Sequence, residues 1–255
     1  MLDRLYPIYF WLLVVPLVAL ATVIGALIAI PLSLLVSPRL ANLQVAVRWS
    51  RIIATLLPIR VTVEGLEQID RSRSYVVVAN HQSQFDIPVI YGYCGLDLRW
   101  VMKAELGKVP FIAQGCRAIG HIFINRQDPD QARSAINEAV ARLPQGTGIL
   151  FFPEGTRSRD GRLLPFKKGA FRVALDQQLP ILPMTVSGTR HINTSKTLKV
   201  RPGPAHLKIH QPIETAGLPV TEERTLRRRV RAVINSGLPA DEQEVETEAR
   251  SLHAT

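Results

Sequence analysis

Tyr75-Val76-Val77-Val78-Ala79-Asn80-His81-Gln82-Ser83-Gln84-Phe85-Asp86 opens on five apolar residues and closes on a polar cluster. A short, continuous, β-branched run of this kind reads as a buried strand. The residues behind it, 87–93, have a helical pattern. Open α/β folds place their chemistry in the crevice outside the carboxyl ends of the strands, so His81 and Asp86 stand where a site is expected.

Outward from this strand, short β-branched runs alternate with helical patterns. Strands are expected at residues 61–63, 75–79, 98–102, 121–124, 148–152, 181–186 and 207–210, and helices at 87–93, 130–143, 169–178 and 221–236. Most strand-to-strand connections are therefore crossovers, and the fold class is α/β: a mixed, largely parallel sheet flanked by helices. Three regions follow: a membrane anchor with an interfacial helix over 1–58, a catalytic domain over 59–237, and an acidic, frayed C-terminal tail over 238–255.

His81 and Asp86 are five residues apart, which in a regular helix sets them about 140° apart. A working pair therefore needs His81 in the loop and Asp86 in the first helical turn. A carboxylate on one imidazole nitrogen fixes the tautomer and leaves the other nitrogen to take a proton from an alcohol. An isolated His-x4-Asp is more often a helix cap beside a satisfied loop histidine. Here no Gly-x-Ser-x-Gly elbow and no paired His or Cys spacing offers another centre. His206 and His210 lie in a strand-like stretch and read as structural.

Other strand ends carry cations. The run from Gly120 to Asn125 ends in Arg126, whose guanidinium can fork onto a phosphate. The turn Phe152-Pro153-Glu154-Gly155-Thr156-Arg157-Ser158 can present backbone N–H groups to an anion. Lys103 follows another strand, and Lys167 and Lys168 precede a helix.

These blocks resemble the glycerolipid acyltransferases of the 1-acylglycerol-3-phosphate acyltransferase type. The likeness covers roughly residues 60–215: Asn-His, four residues and Asp at 80–86, then 120–126, 152–158, and the Ile181-Leu182-Pro183-Met184 run. The resemblance implies a His81/Asp86 catalytic pair, acceptor phosphate binding by Arg126 and by Glu154, Gly155, Thr156 and Arg157, and lysophosphatidic acid as acceptor; Lys103, a strand-end cation, is expected to add charge to that site. It also implies an acyl thioester of coenzyme A or acyl carrier protein as co-substrate, and no cofactor or metal. Ser83 as an acylated nucleophile is the mechanistic rival. Glu154, anionic itself, is expected to position Arg126 or Arg157.

Lys and Arg total 31 against 21 Asp and Glu, a net charge of +10, so the partner is expected to be anionic. Nucleic acid and lipid headgroups both reward clustered cations. The 47% apolar composition, concentrated at the N-terminus, selects membrane lipids; the basic residues 224–229 are then a headgroup- or solvent-facing helix rather than a nucleic-acid site. No charge occurs over residues 5–38, a run too long for a secretory signal and long enough to cross a bilayer. Pro16, Gly25 and Pro31 leave a kinked span and a re-entrant hairpin both open.

Residues 40–58 keep a helical pattern with Val45, Trp49, Ile52, Ile53 and Leu56 on one face, read as an interfacial helix with a core helix as the alternative. Arg39, Arg48 and Arg51 favour headgroups on the cytoplasmic side. The expected location is the inner membrane, with the catalytic domain toward the cytoplasm. Cys94 and Cys116 read as free, packing thiols. Two further readings stay open: another lyso-phospholipid or lyso-aminolipid acceptor, and a lipid-binding protein without turnover.

Overall fold

In the computed structural model, which describes residues 2–125, 128–193 and 200–244, seven strands form one sheet. They are β1 (Ile59–Glu64), β2 (Tyr75–Ala79), β3 (Asp97–Lys103), β4 (Ile122–Ile124), β5 (Thr147–Phe151), β6 (Ile181–Ser187) and β7 (Gly203–Ile209), in the spatial order β1-β7-β6-β2-β5-β3-β4. β2 is central and parallel to both neighbours, with Val77 opposite Leu150 of β5 and Leu182 of β6. β3 and β4 continue the parallel set, whereas β7 runs antiparallel to β6 and parallel to β1. The carboxyl ends of β2, β3, β4, β5 and β6 therefore share one edge. The sheet is mixed and largely parallel, as its apolar strand runs imply.

Helices cover both faces. The helices are α1 (Leu2–Tyr9), α2 (Val15–Leu35), α3 (Pro38–Ala41), α4 (Val47–Leu56), α5 (Asp86–Tyr93), α6 (Ile112–Ala118), α7 (Pro129–Ala141), α8 (Gly169–Asp176), α9 (Thr189–Ile192) and α10 (Glu223–Ser236). One core joins the sheet to α4 and α5 through Ile53, Val89, Ile90, Leu150 and Leu182. The other joins it to α7, α8 and α10 through Ile136, Phe171, Leu226 and Val230.

The N-terminal run is helical throughout, with one π-helical turn at Phe10–Val14, just before Pro16, linking α1 to α2. Residues Tyr6–Leu35 form a helix long and apolar enough to cross a membrane. Ser37 caps the next helix and Pro38 starts it, since proline has no N–H to lose at that position. The chain then returns antiparallel along α2: Trp49 Nε1 donates to Thr22 Oγ1 at 3.0 Å, and Val45 packs beside Gly25. The apolar run itself is one continuous helix to Leu35, and the turn of the hairpin falls after it, at Val36 and Ser37.

The second arm of the hairpin packs on the domain, as the core-helix alternative implies, through Trp49, Ile53 and Leu56. Ser50, Ile53 and Ala54 are its buried residues, packed against α5, while Ile52 is 46% exposed. A π-helical turn at Asn42–Ala46 precedes this stretch. Asn42 anchors this arm from within, donating to Asp97 Oδ1 at 2.6 Å and to the Leu98 carbonyl at 3.2 Å. Asp97 is also paired with the buried Arg99 at 2.5 Å, so losing Asn42 would leave part of a buried charge network unsatisfied, at a cost of about 1–3 kcal/mol.

Candidate active site

The loop after β2 is fixed before its chemistry begins. Asn80 mimics a strand residue: its amide donates to the Val186 carbonyl at 2.8 Å and accepts from the Val186 N–H at 2.7 Å, locking the end of β2 to β6. His81 follows in the loop and Asp86 opens α5, the arrangement that their spacing requires. His81 Nδ1 lies 2.7 Å from Asp86 Oδ2.

Asp86 is 0% exposed, and hydrogen-bond donors surround it. Oδ2 also accepts from the Gln82 N–H at 2.7 Å and the Ser83 N–H at 2.9 Å, and Oδ1 accepts from the Thr189 hydroxyl. A buried carboxylate is tolerated only when satisfied in this way. Because Asp86 accepts, the His81 proton sits on Nδ1 and Nε2 is the free base. The ring stacks on Phe152, 4.1 Å between centroids, and its side chain remains 16% exposed. Among the described residues, none bonds Nε2.

The turn after β5 is stitched to the same loop. Ser158 N donates to the His81 carbonyl at 2.8 Å, and Glu154 Oε1 accepts from the His81 N–H at 2.7 Å. Glu154 Oε2 accepts from the Leu164 N–H at 2.9 Å. Its described partners are thus backbone N–H groups that brace the loop; Arg157 is not among them, and the expected pairing with Arg126 falls outside the described residues. Burial pushes its carboxyl up to about 8, against those two hydrogen bonds, with the nearby Asp86 charge adding to the rise and Arg231 opposing it. Gly155 adopts φ +73°, and a Cβ there would meet Lys167 Nζ at 2.8 Å. The turn thus brings Gly155 and Lys167 together, with Thr156 exposed and Arg157 half-buried.

Lys103 is exposed at the end of β3, opposite Ile124 of β4. Among the described residues, the shared sheet edge associates it with the rest of the site. Arg126 lies outside the described residues. Ser83 is 0% exposed, and its hydroxyl donates to the Asn193 carbonyl at 2.9 Å, which removes it from the reach of an acyl donor. His206 and His210 pair with Thr62 and Thr185, consistent with structural roles. Thr189, Phe152 and Asn80 are site residues that spacing alone does not reveal. Thr189 follows Ser187 and Gly188 at the end of β6, so the strand-end criterion that finds His81 also applies to it.

Beside the loop, a cavity of about 520 Å³ opens between the hairpin and the domain. Gln84, Phe85 and Pro88 form its wall on the loop side, Val18, Ala26 and Trp49 on the hairpin side, and Met102 and Ile119 on a third. His121 also lines it and is held neutral: burial, with the Arg99 charge, pulls its imidazole down to about 3. Its Nδ1 accepts from the Trp100 N–H at 3.2 Å, and the hydroxyl of Tyr91 is 3.3 Å from Nε2.

A base and an apolar cavity on one loop suit transfer of an apolar acyl group, and relatives point the same way. The family model described as Acyltransferase matches residues 60–187. A human protein named 1-acyl-sn-glycerol-3-phosphate acyltransferase alpha is 33% identical over 81% of this chain and 73% of its own length. A Limnanthes douglasii 1-acyl-sn-glycerol-3-phosphate acyltransferase is 34% identical over 76% of this chain and 68% of its own. The crystal structure of the 1-acyl-sn-glycerophosphate (LPA) acyltransferase PlsC from Thermotoga maritima superimposes with a TM-score of 0.75 at 28% identity, over 99% of this chain and 97% of that one. With these likenesses spanning both the hairpin and the sheet, the chain belongs to the acyltransferase family, among the 1-acyl-sn-glycerol-3-phosphate acyltransferases.

Proposed function

We propose that the protein transfers a fatty acyl group from an acyl thioester to the free sn-2 hydroxyl of 1-acylglycerol-3-phosphate, giving phosphatidic acid, with His81 as general base. The observation that carries this reading is the His81–Asp86 bond, with the carboxylate buried and satisfied on every side and Nε2 left open. Nε2 takes the proton of the acceptor hydroxyl as its oxygen attacks the thioester carbonyl. Asp86 stabilises the imidazolium that forms. As the tetrahedral intermediate collapses, the C–S bond breaks and the imidazolium returns the proton to the departing thiolate. No acyl-enzyme is needed, in keeping with the buried Ser83.

Lys103, Arg126 and the Glu154–Arg157 turn belong to the acceptor's phosphate site, Glu154 by holding the turn rather than by touching the anion. The 520 Å³ cavity takes the acyl chain, its size falling in the range of small-ligand pockets. The apolar helix Tyr6–Leu35 holds the protein in the membrane where lyso-lipid and product reside, and the site meets coenzyme A or acyl carrier protein thioesters from the cytoplasmic face of the inner membrane. The test is incubation with lysophosphatidic acid and each thioester, following thiol release and phosphatidic acid. Turnover with lysophosphatidic acid supports the reading. Turnover only with a lyso-aminolipid or another lyso-phospholipid reassigns the acceptor, and none with any acceptor leaves a lipid-binding protein.

A further inference from the structure

The acidic stretch expected to fray sends a carboxylate into the catalytic loop. Glu242 is 2% exposed; its Oε2 accepts from Gln82 Nε2 at 2.5 Å, and its Oε1 accepts from Arg190 Nε at 2.5 Å. These two partners sit on the two segments that supply Asp86 with donors. The backbone N–H of Gln82 donates to Asp86 Oδ2, and Thr189, the neighbour of Arg190, donates to Oδ1. Glu242 therefore bridges, from behind, the two halves of the cradle around Asp86.

The segment is held in place by its own contacts. Leu238 is buried in the core with α10, the N–H groups of Glu242 and Gln243 both bond the Pro239 carbonyl, and Glu244 pairs with Arg231. Arg231 also donates to the carbonyls of Leu163 and Leu164, at 2.9 and 2.5 Å. The Leu164 N–H bonds Glu154, which bonds the His81 N–H. Exposed ion pairs contribute little, but here the carboxylate is buried, and removing it takes away the acceptor that ties Gln82, also bonded to the Gly161 carbonyl, to Arg190, also paired with Asp241.

We propose that Glu242 is a positioning residue for acyl transfer, fixing the Gln82 and Thr189 donors around Asp86 and through them the orientation of His81. This rests on reading His81 and Asp86 as the catalytic pair. Glu242 touches no substrate; its effect is on the geometry of the transition state.

The test is Glu242→Gln, which keeps the volume but leaves one acceptor oxygen for two donors. The expected result is a kcat about tenfold lower, because small misplacements of a catalytic group are costly, with KM for lyso-lipid and thioester held within about twofold. The 15N-histidine NMR resonance of the His81 Nδ1 proton shifts or broadens. The exchange Gln82→Glu with Glu242→Gln, which restores a carboxylate–amide pair, recovers part of kcat. Wild-type kcat in Glu242→Gln, or a loss matched by an equal loss of folded protein with the His81 resonance unmoved, overturns the proposal. His81→Ala is assayed alongside: if it turns over normally, the catalytic reading fails and takes this proposal with it. An inactive His81→Ala beside a wild-type-like Glu242→Gln refutes the positioning role alone.

Discussion

The catalytic loop and the cavity adjoin at Gln84 and Phe85, yet they are built by opposite means. Around Asp86 the side-chain oxygens meet N–H or O–H donors at hydrogen-bond distance. In the cavity the wall is mostly aliphatic and aromatic, and even its histidine is neutral and bonded away. Directional bonds set atoms to within tenths of an ångström, as a proton transfer requires. Apolar area is non-directional, which suits a flexible chain of variable length. Substitutions in the loop should therefore act on kcat, and those in the cavity on which chain is accepted.

The sharpest break is Asp86→Asn. An asparagine must keep its oxygen where the Gln82, Ser83 and His81 donors converge, so the tautomer is retained but the charge facing the imidazolium is lost, and kcat is expected to fall by about 10³-fold at nearly unchanged KM. A loss confined to KM would erase the distinction between the two regions.

Glu154→Gln probes the loop one step back. Its amide can accept from only one of the His81 and Leu164 N–H groups, so kcat is expected to fall about tenfold, with the acceptor KM rising by less because Glu154 only holds the phosphate turn. The same residue has a stability signature. Its carboxyl is raised from 4.5 to about 8 in the fold, so between those values the native state holds a proton that the unfolded chain releases. Stability contributed by the protonated group is therefore present at low pH and declines as pH rises through that window, levelling above about 8. Thermal midpoints of wild type should decline across it more than those of Glu154→Gln.

The cavity gives the smallest effect. Ala26 lines it beside Gly115, where α2 meets α6. Ala26→Leu is expected to lower kcat/KM for long relative to medium acyl donors by about fivefold, the scale on which apolar pockets discriminate methylenes. An unchanged chain preference would mean that the chain lies elsewhere.

Much of this was legible. The unbroken apolarity of β2 marked a buried strand, and the polar residues at its end marked the site, because both are local consequences of a parallel sheet. Asp86 and His81 were found because they lie five residues apart in the loop and helix start that follow one buried strand. Thr189 and Glu242 were not, because each reaches the loop across more than a hundred residues and leaves no periodic trace. Glu154 was visible in its motif, but its role depends on which donors the fold turns toward it. In the hairpin's second arm the expected face packs inward at Trp49, Ile53 and Leu56, with Ile52 of that face exposed. Arg126 and residues 245–255 lie outside the described residues.

The central claim is that Nε2 of His81 moves the proton of the acceptor hydroxyl. The most direct measurement compares wild type with His81→Ala, both shown to be folded, for thiol release in the presence of lysophosphatidic acid and an acyl thioester. Turnover is expected to fall by about 10³-fold or more, with binding of the acceptor retained. Equal turnover in the two proteins would contradict the account.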